Sequence, residues 1–97
     1  MNESMRAITL GVHVVDVLVW PVEEIPRGQG GTLVEQIRIT PAGSAGGTAI
    51  TLAKLGAQVC SAGAIGEDEL GQVLLELLAR FGVDTSLMVR RSEVQTS

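Results

Sequence analysis

A glycine-rich stretch, residues 43–47, precedes a segment that predicts a helix from Thr48 to Leu55. Such a turn commonly binds a phosphate, because free backbone N–H groups and the positive end of the helix dipole point at one place. The P-loop pattern G-x-x-x-x-G-K-[ST] is absent, however, since the single lysine, Lys54, lies inside the predicted helix. The G-x-G-x-x-G fingerprint and the G-x-S-x-G nucleophile elbow are absent as well. The stretch is therefore not predicted to bind a phosphate.

Asp16 is the second candidate for chemistry, because it places a charge between two apolar runs, residues 11–15 and 17–20. Ligands of open α/β sheets bind beyond the carboxyl ends of the strands, where a carboxylate can accept two hydrogen bonds from a vicinal diol. The alternative is an aspartate that only forms a local turn. The residue pattern leaves both interpretations of Asp16 open.

The two candidates combine into one predicted site if both follow strands at the same rim of the sheet. Asp16 would then supply hydroxyl acceptors beside bare backbone that lets a ring approach closely. No positive charge is available there for a phosphate, so the combination favours a neutral, hydroxylated ligand. The predicted site residues are Asp16, Gly43, Ser44, Gly46 and Gly47.

The composition argues against several classes of protein. The net charge of −4 disfavours a nucleic-acid partner, and the one adjacent basic pair, Arg90 and Arg91, is predicted to lie on a solvated strand. A single histidine, His13, and a single cysteine, Cys60, are too few for a zinc site or an intrachain disulfide, so both are predicted to be packed core residues. No apolar run resembles a signal peptide or a membrane helix, which predicts a cytoplasmic protein without a membrane partner.

The apolar pattern predicts the element order β, exposed β, α, β, α, β. Residues 7–20 are dense in β-branched side chains and predict a buried strand or strand pair, whereas residues 33–40 alternate and predict a half-exposed strand. Residues 58–66 form a nearly continuous apolar run, which is typical of a central parallel strand. Strands that alternate with helices predict a parallel α/β sheet. A last strand begins within residues 86–97 without its crossover, so we expect the N-terminal portion of a larger α/β protein.

The clearest predicted helix follows Asp68. Its apolar residues recur at spacings of three and four between Leu70 and Phe81, which is the helical period. Asp68 is a suitable N-cap, and Arg80 suits the last turn because a cation stabilises the C-terminal end of the helix dipole. Gly82 is predicted to adopt the left-handed conformation that ends many helices.

Several segments, taken in order, resemble the N-terminal third of the ribokinase-type, or PfkB-type, carbohydrate kinases. The segments are GVHVVD, AGSAGGTAITLAKLGA and GAIGEDELGQVLLELLARFGVDTSLM, followed by a closing TS. The likeness runs from Ile8 to Ser97, and the ordered series of glycines is its most specific part. It implies a ribokinase-like three-layer α/β sandwich, in which helices flank a parallel-rich central sheet and a small β lid is attached. Residues 1–97 would form the N-terminal part of one such domain, with lid strands at about 18–40 and 87–97.

The resemblance also implies a function. Asp16 matches the aspartate with which the family binds sugar hydroxyls, and the turn from Gly43 to Gly47 matches the glycine-rich lining of the sugar site. ATP and Mg²⁺ are the implied cofactors, with a monovalent cation left open, and a homodimer through the lid is the implied assembly. The family's catalytic aspartate, in a Gly-Ala-Gly-Asp segment, and its nucleotide site have no match here. No catalytic, cofactor-binding or metal-binding residue is therefore predicted within the 97 residues.

Two positions depart from the family pattern. Val14 stands where ribokinases carry an asparagine, and Gly47 stands where many members carry one. Each change removes an amide that could hydrogen-bond a sugar hydroxyl. The acceptor of the phosphoryl group is therefore left open among other sugars, sugar phosphates and nucleosides. The sequence thus predicts the substrate-binding and lid portion of an ATP-dependent sugar kinase. The alternative is a non-catalytic polyol- or nucleoside-binding module, such as a pseudokinase or a regulatory domain, that dimerises through its lid.

Overall fold

A computed structural model of the protein describes residues 5–97, which form five strands and two helices. The order of elements agrees with the predicted one, and of the two alternatives for residues 7–20 the strand pair is present, with its strands in different sheets. The elements are β1 (Arg6–Leu10), β2 (Val14–Trp20), β3 (Gln36–Ala42), α1 (Gly43–Lys54), β4 (Gln58–Gly66), α2 (Glu69–Arg80) and β5 (Asp84–Arg91).

Strands β1, β4 and β5 form a parallel sheet in that spatial order, so β4 is the central strand, as predicted. Parallel neighbours need a crossover connection, and α1 and α2 provide it on one and the same face of the sheet. Apolar side chains of both helices and of β4 meet in a single core, which confirms the α/β class. The buried core residues are Ala49, Ile50, Val59, Ile65, Leu74, Leu78 and Val83.

The opposite face of the parallel sheet is apolar and exposed. Ile8 and Leu10 alternate along β1 with the buried Thr9 and expose 67% and 79% of their surface. Leu87 and Val89 on β5 are also exposed. Parallel sheets are normally covered on both faces, and residues 5–97 provide only one of the two helix layers of the predicted sandwich.

Helix α2 has the ends that its sequence predicts. The Asp68 side chain accepts a hydrogen bond from the Gly71 N–H at 2.9 Å, which satisfies one of the first N–H groups of the helix. Gly82 follows the helix with φ +83°, and the Val83 N–H donates to the Leu78 carbonyl at 3.0 Å. Neither α2 nor α1 has the length and hydrophobicity needed to span a membrane.

Helix α1 begins at Gly43 rather than at the predicted Thr48. The glycine-rich stretch is therefore not a turn before the helix but its first turns. The Val12 carbonyl explains the early start, because it accepts hydrogen bonds from the N–H groups of Ala45 at 3.0 Å and Gly46 at 3.3 Å. These N–H groups would otherwise lack a partner at a helix end. The acceptor lies far away in the sequence, so local patterns did not indicate it.

Strands β2 and β3 form a separate antiparallel sheet, in which Val14 lies opposite Ala42 and Trp20 lies opposite Gln36. The strands alternate, so one face carries four apolar side chains that are between 44% and 61% exposed. These side chains are Val17, Val19, Ile37 and Ile39. The sheet is wider than the predicted range of 18–40, since β2 starts at Val14 and β3 ends at Ala42.

The predicted lid strand at residues 87–97 requires a correction. Residues 87–91 belong to β5 and pair with β4, because the crossover through α2 returns the chain to the parallel sheet. Only the last residues reach the β2–β3 sheet, where the Ser97 carbonyl accepts a hydrogen bond from the Val15 N–H at 2.8 Å.

A clamp of hydrogen bonds joins the start of α2 to the last residues of the chain. The Asp68 carboxylate accepts from the Thr96 hydroxyl at 2.7 Å and from the Thr96 N–H at 2.8 Å, and the Thr96 Oγ1 accepts from the Gly66 N–H at 2.9 Å. The hydrogen bonds that the Asp68 carboxylate accepts, from the Thr96 hydroxyl first and then from the N–H groups of Thr96 and Gly71, lower the pKa of Asp68 below its ordinary value.

We expect Asp68→Asn to lower the Tm of the intact protein at neutral pH, because the amide cannot accept all of these bonds. A lowered carboxyl pKa stabilises the folded state above the ordinary aspartate pKa, and this contribution is lost as the pH falls through the lowered value. Thermal melts across acidic pH should therefore converge for the wild type and the variant. Glu24→Gln, at an exposed position in the connection between β2 and β3, is the control and should change neither Tm nor its pH dependence. Parallel curves for Asp68→Asn and the wild type down to strong acid would contradict the role of the clamp.

Candidate functional site

The N-terminus of α1 packs against residues 11–13, which connect β1 to β2. Gly43 has φ +88°, and a Cβ at this position would lie 2.5 Å from the Val12 carbonyl oxygen. Only glycine permits this approach of two backbones. Because the Val12 carbonyl also occupies the N–H groups of Ala45 and Gly46, those two groups are not available to a phosphate.

Gly46 and Gly47 face different surroundings. Gly46 is buried, and a Cβ on it would lie in ordinary contact with the His13 ring, 3.5 Å from Cδ2. A Cβ on Gly47 would meet no atom within 4 Å, so Gly47 borders open space. Ser44 is exposed beside them, and its carbonyl accepts a hydrogen bond from the Thr48 hydroxyl at 2.7 Å.

Asp16 lies inside β2 and not after the end of a strand, which corrects the prediction from sequence. The apolar run does not end at Asp16, because it continues in β2 as the strand leaves the core for the second sheet. Asp16 is half-buried and lies opposite Thr40 on β3. Since Asp16 is opposite Thr40, it stands three residues along the strand from Gly43 at the start of α1, or about 10 Å.

The structure thus brings Asp16 and the start of α1 to one junction, although neither lies on a loop. Strand β3 runs directly into α1, and its pairing with β2 places Asp16 near Gly43. A carboxylate, a stretch of bare helix backbone and the open space beside Gly47 lie at this junction.

A buried polar chain lies directly beneath the junction. His13 is 5% exposed, and its Nδ1 is 3.0 Å from the Gly11 carbonyl oxygen while its Nε2 is 2.7 Å from the Ser61 hydroxyl. Ser61 is fully buried and lies 2.8 Å from the Thr9 hydroxyl. Burial lowers the pKa of His13, and the bond to the Gly11 carbonyl opposes that shift.

The sequence predicts a packed or hydrogen-bonded His13, and the structure agrees. It does not predict the partners Ser61 and Thr9. The one signal for them is a small hydroxyl side chain at an inward position of each strand, within the runs AITL and VCSAG. Gly63 closes the chain, because a Cβ there would lie 2.7 Å from both the Gly11 carbonyl oxygen and the His13 Nδ1.

The adjacent basic pair, Arg90 and Arg91, makes contacts within the protein. Arg90 is half-buried and donates hydrogen bonds to the carbonyl groups of Gly66 and Asp68, so it is not merely a solvated residue as predicted. Arg91 is exposed and pairs with Glu93 at 2.6 Å. Within residues 5–97 no three histidine, cysteine, aspartate or glutamate side chains are grouped to hold a metal ion.

The model of the pfkB family carbohydrate kinases matches residues 11–97. The chain belongs to this family. The match covers the junction of β2, β3 and α1 and the whole of the parallel sheet except β1, so the predicted resemblance is confirmed.

Individual relatives agree with the family assignment. The chain is 35% identical over 88 residues to the bifunctional protein HldE of Trichlorobacter lovleyi, which covers 86% of this chain and 17% of that protein. A ribokinase-type protein from Agrobacterium tumefaciens superimposes with a TM-score of 0.84 and 28% identity over 97% of this chain and 30% of that one. A fructokinase from Xylella fastidiosa with bound ATP superimposes with a TM-score of 0.73 and 26% identity, over 94% of this chain and 27% of the fructokinase chain. The chain therefore spans less than a third of these relatives, and the ribokinase-like fold is confirmed over its length.

Two glycines of the site should respond oppositely to alanine. Gly43→Ala should destabilise the intact protein by about 1–3 kcal/mol, because a positive φ and a clash with the Val12 carbonyl must both be relieved. Gly47→Ala should stabilise it by about 0.5–1 kcal/mol, because alanine favours a helix interior and the Cβ meets open space. Denaturant unfolding of both variants provides the measurement. Equal effects of the two substitutions would contradict the packing of α1 on residues 11–13.

Proposed function

We propose that the intact protein is an ATP-dependent carbohydrate kinase and that this chain forms its acceptor-binding site. The observation that carries the proposal is the junction of β2, β3 and α1, within a chain that belongs to the pfkB family. It combines the Asp16 carboxylate with the bare backbone of Gly43 to Gly47 and has no positive charge among these residues. A sugar or nucleoside hydroxyl is the ligand that fits this combination.

Asp16 is the residue to which we assign the orientation of the acceptor. Its carboxylate can accept hydrogen bonds from two neighbouring hydroxyl groups and so direct a third toward a phosphoryl donor. Gly43, Ser44, Gly46 and Gly47 line the other side, where the lack of side chains lets a ring approach the helix backbone. Such positioning contributes to the rate as well as to the affinity.

The β2–β3 sheet is proposed to act as a lid over this site. It is connected to the parallel sheet by residues 11–13 and to α1 at Gly43, so a movement about these two connections would bring its far end, at Trp20 and Gln36, over the junction. Closure would exclude water from the reacting phosphoryl group. The exposed apolar face formed by Val17, Val19, Ile37 and Ile39 suits a homodimer contact through the same sheet.

ATP and Mg²⁺ are proposed to bind to parts of the intact protein other than residues 5–97. Within these residues no three histidine, cysteine, aspartate or glutamate side chains are grouped, and two N–H groups at the α1 N-terminus already have the Val12 carbonyl as partner. When bound, ATP supplies the phosphoryl group and Mg²⁺ neutralises its charge. This chain is proposed only to bind and orient the acceptor and to shield it from water. The catalytic base is likewise assigned to another part of the protein.

One observation favours a second function, a non-catalytic module that binds a polyol or nucleoside. Val14 and Gly47 both lack the amide that would add hydrogen bonds to a sugar hydroxyl. Thermal-shift measurements of the intact protein with sugars and nucleosides, with and without Mg-ATP, followed by an ADP-release assay, separate the two functions. Ligand-dependent shifts without ADP release would support the module and contradict the kinase.

We expect Asp16→Asn to raise the acceptor KM by about 10-fold to 100-fold, since an amide replaces an acceptor of charge-assisted bonds and presents a donor. Asp84→Asn makes the same chemical change at the opposite, amino-terminal end of the parallel strands and is the matched control. Its kinetics should equal those of the wild type. Unchanged kinetics of Asp16→Asn would contradict the assignment of the site.

Gly47→Asn tests how the acceptor is selected. The open space beside Gly47 admits the side chain, and its amide would add hydrogen bonds to a sugar hydroxyl. We expect kcat/KM ratios among D-ribose, D-fructose and nucleosides to change by about 10-fold or more. Gly47→Ala adds a methyl group without an amide, so it should raise the KM of all these acceptors to a similar extent and leave their ratios nearly unchanged. A shift of the ratios in both variants would assign the effect to helix packing instead.

A further inference from the structure

His13 lies one layer below the residues that are proposed to touch the acceptor. Its ring is bonded on one side to the carbonyl of Gly11, the residue that directly follows β1, and on the other side to Ser61 of the central strand β4. It therefore ties the connection between β1 and β2 to the middle of the parallel sheet. The kinase mechanism described above does not use this buried, titratable group.

The positions of the protons follow from the chemistry of the partners. A carbonyl oxygen can only accept, so the His13 Nδ1 carries a hydrogen and donates to Gly11. In the neutral ring Nε2 is then an acceptor, and the Ser61 hydroxyl donates to it. The Thr9 hydroxyl in turn donates to Ser61. Every side-chain polar atom in this series of hydrogen bonds has a partner, and no buried side-chain nitrogen or oxygen within residues 5–97 lacks one.

Protonation of the ring reverses this chain. The imidazolium carries a hydrogen on Nε2 as well, so Ser61 must accept from His13 and turn its own hydrogen toward Thr9. No charged group compensates for the new positive charge. The groups next to the ring are the Gly11 carbonyl, Ser61 and Gly63 from β4 and Gly46 from α1, and Thr9 from β1 lies behind Ser61. Burial disfavours the charged imidazolium and therefore lowers the pKa of His13.

The connection held by His13 is also the seat of α1. The neighbouring Val12 carbonyl binds the N–H groups of Ala45 and Gly46, and a Cβ on Gly43 would lie 3.2 Å from the His13 Cα. Asp16 follows three residues after His13, at the start of β2. A displacement of this connection would move Asp16 and the start of α1 relative to each other.

We propose that His13 is a positioning residue of the acceptor site: its neutral ring, bonded between Gly11 and Ser61, holds Asp16 and residues 43–47 in register, and its protonation loosens them. The proposal rests on the proposed kinase function for its kinetic consequence, whereas its structural consequence holds whatever the acceptor is. The loss lies on the acid side, because the folded state resists a proton that the unfolded chain binds below about pH 6.5.

Hydrogen exchange in the intact protein tests the structural consequence without an acceptor. The protection of the Ala45 and Gly46 amides, corrected for the intrinsic pH dependence of exchange, should fall about tenfold from about pH 7.5 to about pH 5 in the wild type. In His13→Asn, whose amide can donate to Gly11 but cannot reach Ser61, protection should already be low at neutral pH and should not change with pH. Thr48→Ala removes an exposed hydroxyl of α1 that is not hydrogen-bonded to His13, Ser61 or Thr9, and it should behave as the wild type.

Steady-state kinetics with D-ribose and D-fructose as probe acceptors test the functional consequence. The acceptor KM of the wild type should rise about tenfold over the same pH range with a smaller change in kcat, whereas the KM of His13→Asn should be raised and independent of pH. The ratio of the KM values of the wild type and His13→Asn at each pH cancels the effect of ATP's own titration. Ser61→Ala should raise KM like His13→Asn.

The outcomes separate the two hypotheses. If no sugar or nucleoside of the thermal-shift measurements is phosphorylated at any pH but exchange behaves as expected, the kinase function is at fault and the positioning role of His13 stands. If exchange and KM depend on pH equally in the wild type and in His13→Asn, the positioning role is overturned while the kinase function stands. A His13→Asn protein that is unfolded would leave Ser61→Ala to decide, since this smaller change removes only the Nε2 partner: wild-type protection and kinetics in Ser61→Ala would overturn the proposal.

Discussion

The close packing of residues 11–13 against the start of α1 is the contact on which the rest of this structure depends. The Val12 carbonyl accepts hydrogen bonds from two N–H groups in the first turn of α1. Gly43 allows the backbone of α1 to approach the backbone of residues 11–13. On the other side, His13 binds the central strand through Ser61. One short connection thus determines where β1 ends, where β2 begins and where α1 starts. The candidate site lies at this same point because three elements converge there.

A second contact, the clamp between Asp68 and Thr96, has the same character at the other corner of the sheet. It caps α2, brings the last residues back to Gly66 and places Ser97 against β2. Both contacts replace solvent at a helix N-terminus with protein groups, which is how buried backbone N–H groups are satisfied. They also explain why this rim is rich in glycine, since a Cβ at Gly66 would lie 2.6 Å from the Val94 carbonyl oxygen.

Local sequence patterns predicted the elements whose causes are local. The period of α2, its Asp68 cap and the left-handed Gly82 all appear as expected, and the continuous apolar run of β4 is the central strand. The patterns failed where a distant partner decides. They placed Asp16 after a strand, the glycine-rich stretch before a helix and residues 87–91 in the lid, because nothing near these residues indicates the Val12 carbonyl or the pairing of β5 with β4.

The residue types of the candidate site were evident from the sequence alone: a carboxylate, glycines and no cation, in a series that the family shares. These are chemical properties of the residues themselves and do not depend on the fold. The arrangement of the site was decided only by tertiary structure. Asp16 lies opposite Thr40, three residues before the start of α1, because β2 pairs with β3, and His13 contacts Ser61 because β1 pairs with β4. Such contacts join residues far apart in the sequence, so their geometry follows from the packing of the sheets and helices rather than from any local pattern.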